Sequence, residues 1–186
     1  MTAAVVLAAR VLFGLVFAVA AASKVGSRGG FRTFVASLDG LGRAPVLGWR
    51  LVGVAVVLAE GTTAALLVAP ATAPWGLAAS TGLLAGFAVA IAVSVRQGRE
   101  VTCRCFGAGG STLRAGHAMR NGALAALALA ASALGFAAGT APVAVADVPI
   151  AAGLGAIGAV IVIRWDDLAF IARRPTVVHQ NPTRGG

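Results

Sequence analysis

Both cysteines of the chain fall in one five-residue run, Cys103-Arg104-Cys105-Phe106-Gly107. Sulfurs two residues apart point to opposite sides of a helix but share a face of an extended or turned segment. Gly98, Gly107, Gly109 and Gly110 surround the run and favour the turn, with Phe106 and Gly107 shaping it. Two extended residues separate Cα atoms by about 6.6 Å, near the upper limit for a disulfide, so a Cys103–Cys105 bond pinches the chain. Strained disulfides are readily reduced, which makes a switchable dithiol more natural here than a permanent staple. Positive charge from Arg99, Arg104, Arg114 and Arg120 favours the thiolates, and Glu100 opposes it. Two other readings stay open. The pair can be small buried hydrophobes, or it can join His117 in a metal site, although the spacing is not that of a zinc finger and no further ligand cluster accompanies it.

Glu60 is the second chemical feature. It sits near the middle of an apolar run, where an acidic side chain costs at least ~2.5 kcal/mol, so it is expected to face a bundle interior and find a partner. With a 1.5 Å rise per residue, Arg10 lies about 10 Å below one end of the first run and Glu60 about 15 Å from either end of its own. Arg10 is therefore the expected ion-pair partner, as a structural clasp, a proton-handling pair or a site for a quinone head group. Lys24 and Arg120 stand at the ends of apolar runs, where snorkelling accounts for both. Asn121, just inside its run, needs interhelical partners for its amide.

The elements that hold these residues are apolar. The 186 residues are 59% apolar and 11% charged, with a mean hydropathy of +0.91, against about 45–50% and 25% in soluble domains. So little polar surface cannot cover a water-soluble core, which excludes a soluble globule, a disordered chain and a disulfide scaffold. Five runs approach the roughly 20 residues a span needs: 3–22, 46–69, 75–95, 118–138 and 148–163. The last is short and follows Pro142 and Pro149, which makes a tilted, kinked or partly inserted helix the expectation. No strand alternation or fixed repeat occurs, so the fold class is all-α, an integral membrane helical bundle of four core helices plus a fifth. Gly82/Gly86 and Gly135/Gly139 offer small residues four apart for close helix packing.

The net charge of +9 is topological rather than a nucleic-acid patch. Every basic residue except Arg10 lies in or beside the first loop, the third loop or the tail, whereas loops 70–74 and 139–147 have none. The positive-inside rule then puts the N-terminus outside and the cysteine loop and C-terminus in the cytoplasm. Arg10 interrupts the first run and no basic residue precedes it, which argues against a cleaved signal peptide despite Ala18-Val19-Ala20. The chain divides into a bundle, 1–164, and a cytoplasmic segment, 165–186, expected as a short interfacial helix over 165–172 and a disordered tail. Arginine far outnumbering lysine, with abundant Ala and Gly, fits a GC-rich bacterial coding bias, and the expected location is a bacterial inner membrane.

Arg10 and Lys24 in the first run, Glu60-Gly61 in the second, Cys103 to Gly107, and Arg120-Asn121 opening the fourth make residues 4–138 resemble the MauE family of membrane proteins, relatives of the DoxX group. The resemblance implies a four-helix bundle and a part in methylamine metabolism through maturation of a disulfide-rich exported partner. DoxX relatives add thiol and quinone chemistry, so quinone is the candidate cofactor. The expected function is thiol–disulfide redox handling, possessing Cys103 and Cys105 as the catalytic pair, with Arg10, Lys24, Glu60, Arg120 and Asn121 as a supporting intramembrane polar site. A thioredoxin-like protein or an exported disulfide protein is the expected partner, besides the bilayer, and no metal or nucleic acid is expected. Alternatives are a carrier of a small solute or soft metal ion, with Glu60 and Arg10 lining a path, and a non-catalytic assembly subunit.

Overall fold

Backbone amides in a bilayer have no water to bond with, and long apolar runs satisfy them by coiling into helices. A computed structural model describes residues 1–26, 29–39, 45–98, 102–103, 111–112, 115–139, 142–165 and 167. The elements are α1 (Thr2–Val25), α2 (Gly30–Asp39), α3 (Val46–Leu66), α4 (Ala73–Arg96), a two-residue antiparallel ladder of β1 (Thr102–Cys103) with β2 (Ser111–Thr112), α5 (Ala115–Ala138), a 3-10 turn at Val145–Asp147, and α6 (Val148–Ile163). Helices α1, α3, α4 and α5, and the continuous Val145–Ile163 run, are each long and apolar enough to cross a membrane, which makes this a multi-pass helical membrane protein.

The fifth run is longer than the apolar stretch 148–163. The 3-10 turn extends α6 to 19 residues, about 28 Å at helical rise, close to the roughly 30 Å of a hydrocarbon core. Pro149 falls in the first turn of α6, where its missing N–H would have no helical partner in any case. The expected interfacial helix and tail lie outside the described residues apart from Trp165 and Asp167, where Arg164 pairs with Asp167 at 3.2 Å.

Helix α1 is the hub, packing against α3, α4, α5 and α6. Its Phe13 and Phe17 meet Leu67, Leu77, Leu84 and a row of α5 alanines, Ala125, Ala128 and Ala131. Val16, on another side of α1, packs on Ala159 and Val162 of α6. Large apolar side chains such as Leu47, Leu58, Val89, Leu129 and Ile157 point outward, which suits a lipid surface and accounts for the apolar excess. The expected close approach at Gly82 and Gly86 is absent, because nothing lies within 4 Å of a Cβ built at either. At Gly135 the approach does occur, since a Cβ there would lie 3.2 Å from the Pro74 ring of α4, whereas Gly139 faces open space; the closest packing is on α6. A Cβ at Gly155 would collide with the Ala8 carbonyl and the Val11 side chain, so the small residue lets α1 and α6 meet backbone to side chain.

Candidate functional site

Helix α2 lies within the basic first loop, between α1 and α3. Phe31, Phe34, Val35 and Leu38 recur at helical spacing, and Phe34 and Val35 are buried while Arg32, Thr33 and Ala36 are exposed. The apolar stripe packs on α3, where Val35 and Phe31 crowd Gly53.

Under this short helix lies a buried ion pair. Lys24 Nζ donates to both Glu60 carboxylate oxygens at 2.8 Å and to the Ala20 carbonyl at 3.1 Å. The two residues are only 2% and 1% exposed, which puts both charges inside the bundle. The Phe34 ring of α2 covers the ammonium, with its centroid 4.8 Å from Nζ. Glu60 thus faces the interior with a cation, but the cation is not Arg10, and Lys24 does not snorkel.

Side-chain direction explains the exchange of partners. Arg10 is level with Leu67, so antiparallel register puts Glu60 level with Phe17, and Lys24 lies roughly 10 Å further along α1. Side chains on a helix lean toward its N-terminus. In antiparallel α1 and α3, Lys24 and Glu60 therefore lean toward each other and close the gap, whereas Arg10 and Glu60 lean apart. Arg10 reaches the end of α3 instead, donating from Nε to the Leu67 carbonyl at 3.3 Å and from Nη2 to the Val68 carbonyl at 2.8 Å. These are carbonyls left unpaired at a helix C-terminus, the negative end of its dipole. An Arg10–Glu60 site for a quinone head group therefore does not form, since one residue caps α3 and the other is held by Lys24.

The remaining polar positions divide between α4 and α5. Asn121 is buried in α5, and its Oδ1 has no hydrogen-bond partner among the described residues. Arg120 is half-buried one position earlier. Sequence reasoning did not single out Ser132, whose buried hydroxyl donates to the Pro74 carbonyl at 2.9 Å and ties α5 to α4. Ser80 and Ser94 bond back to the Gly76 and Ala90 carbonyls of their own helix.

Helices α4 and α5 pack on each other more extensively than any other pair, and the cysteine loop joins them. Gly98, at φ +65°, terminates α4 in the left-handed conformation that side-chain-bearing residues rarely adopt. The chain then enters β1, whose Thr102 pairs with Thr112 and whose Cys103 pairs with Ser111. Cys103 is thereby the last residue of β1. Cys105, Phe106 and Gly107 lie outside the described residues, as do Arg99, Glu100, Arg104 and Arg114. No group of three His, Cys, Asp or Glu side chains that could hold a metal ion occurs among the described residues.

The family model described as methylamine utilisation protein MauE matches residues 2–136, from the start of α1 almost to the end of α5. No curated protein and no solved structure matches the chain. A multi-pass bundle matched from its first helix through its fourth spanning helix, cysteine hairpin included, this chain belongs to the MauE family, and that membership suggests a role in methylamine utilisation.

Proposed function

We propose that the protein carries out thiol–disulfide exchange at the membrane, with Cys103 and Cys105 as the reacting pair. The observation that supports this reading is the position of Cys103 on β1, paired with Ser111 of β2, with Cys105 two residues further along the sequence. Two extended residues separate Cα atoms by about 6.6 Å, so a Cys103–Cys105 bond would be strained and readily reduced, as a switchable pair requires. In the exchange, one cysteine thiolate attacks a sulfur of the partner's disulfide, forming a mixed disulfide and expelling the partner's other sulfur as a thiolate. The second cysteine thiolate then attacks the cysteine sulfur of the mixed bond, closing Cys103–Cys105 and releasing the partner as a dithiol. Two electrons pass to the partner, and solvent supplies the protons its thiolates take up. A thioredoxin-like dithiol returns the pair to its reduced form by the same steps, and the reverse direction oxidises a partner.

The basic groups beside the hairpin favour the cytoplasmic face for it, where dithiol reductants are available, in a bacterial inner membrane with the N-terminus outside. The exported, disulfide-rich partner of the methylamine pathway would then be reached through a further carrier or by a hairpin dipping into the bundle. The Lys24–Glu60 pair serves as the clasp that holds α1, α2 and α3 at fixed register. A carrier with Glu60 lining a solute path fits less well, because both carboxylate oxygens are already bonded to Lys24.

Single substitutions test the exchange. Cys103→Ser and Cys105→Ser each leave one thiol without its resolving partner, so one of the two should accumulate a mixed disulfide visible on non-reducing gels and lost on reduction. Absence of any such adduct from both variants in native membranes would remove the proposal's support.

A further inference from the structure

The end of the bundle opposite the hairpin contains a cleft of about 170 Å³, roughly the share of five or six water molecules. It opens between the start of α1, the α3–α4 turn and the end of α5, and its wall includes Val6, Pro70, Pro74, Ala138 and Pro142. The lining side chains are apolar except for Arg10. The guanidinium has five N–H donors in a planar fork, and its bonds to the Leu67 and Val68 carbonyls use two of them. Both acceptors are neutral. The α3 C-terminus they belong to offers only about half an elementary negative charge.

No acidic side chain lines the cleft, and Arg10 has no carboxylate partner among the described residues. Glu60 is taken by Lys24, and Asp147, the acidic residue at this end of the bundle, is exposed beside α6 and not in the wall. Ionisable side chains within membrane-spanning helices pair with one another or with backbone carbonyls, and Arg10 does the latter. Here the fork is held in place by the end of α3, with three of its five N–H donors not used by those carbonyls, next to an open, apolar-walled space.

From these features we infer that the cleft is a binding site for a small oxyanion carried on a short apolar body, a carboxylate or phosphate group that meets the Arg10 fork while its carbon chain lies on the proline and alanine wall. An oxyanion accepts two N–H bonds from a guanidinium side by side, which a neutral carbonyl ligand does not. The site is independent of the cysteine pair. Its ligand comes either from solution or from an anionic lipid headgroup.

The test uses the full-length protein, purified in neutral detergent, with butyrate as the probe and butylamine as its cationic control in titration calorimetry. Wild type should bind butyrate saturably at one site and butylamine not at all. Arg10→Gln should weaken butyrate binding at least tenfold. Ala138→Leu, which fills the cleft and leaves Arg10 on its carbonyls, should do the same, and it decides the matter if the Arg10 variant does not fold. Repeating the titration in nanodiscs assigns the source. Butyrate affinity lowered by phosphatidylglycerol relative to phosphatidylcholine identifies the headgroup phosphate as the competitor, and unchanged affinity identifies a soluble anion. No saturable binding by wild type, or binding undiminished in Ala138→Leu, overturns the inference.

Discussion

Replacing Lys24 with Met keeps the length and packing of the side chain but leaves the Glu60 carboxylate, 1% exposed, without its cation. With Nζ 2.8 Å from each oxygen, the gross attraction is about 6 kcal/mol at an effective dielectric of about 20. Desolvation of both ions offsets much of this, so the pair itself adds little net stability, but removing one partner strands a buried charge and costs about 3–5 kcal/mol. Loss of the Phe34 cation–π contact adds about 1 kcal/mol. Glu60→Leu alone strands the ammonium and should cost a similar amount. The double variant Lys24→Met, Glu60→Leu should be much more stable than the sum of the singles requires, recovering about 3 kcal/mol of coupling. Unfolding in mixed micelles of increasing SDS content, followed by circular dichroism and tryptophan fluorescence, measures all four proteins. Additive losses, or a Lys24→Met protein as stable as wild type, would refute the clasp.

Three further outcomes follow from the packing. Gly155→Leu should destabilise the bundle by about 1–3 kcal/mol through its collision with Ala8 and Val11, whereas Gly153→Leu, facing open space two residues earlier, should not; thermal unfolding in detergent compares them. Val35→Glu places a charge on the buried face of α2 and should cost about 2–3 kcal/mol, while Ala36→Glu on its exposed face should change stability by less than about 0.5 kcal/mol, read in the same assay. Ser132→Ala removes the bond to the Pro74 carbonyl and should lower stability by about 1 kcal/mol, with faster amide exchange at the start of α4 as a second readout.

The spans were legible because lipid demands a long unbroken apolar run, and that demand is written in composition alone. The partner of Glu60 was not, because backbone rise fixes only the depth of each Cα, while the side chains lean by several ångströms in opposite senses. Reading the lean would have favoured Lys24 over Arg10. Helix α2 had a usable signal in the spacing of Phe31, Phe34, Val35 and Leu38, hidden by the basic residues around it. Gly82 and Gly86 show the converse: a spacing that permits close approach does not cause it unless a partner helix arrives, and the helix that arrived met Gly155. The cysteine pair was conspicuous because its chemistry depends on residue type and local spacing, which sequence carries directly.

The redox competence of that pair is the centre of the account. Native membranes equilibrated in glutathione buffers of graded potential, quenched with acid and then labelled with a thiol-specific mass tag, report the oxidation state of Cys103 and Cys105 together. The account predicts a single two-electron transition, both thiols disappearing in concert as the buffer becomes oxidising and returning on reduction. Thiols that stay fully labelled, or fully unlabelled, across the whole range would contradict it.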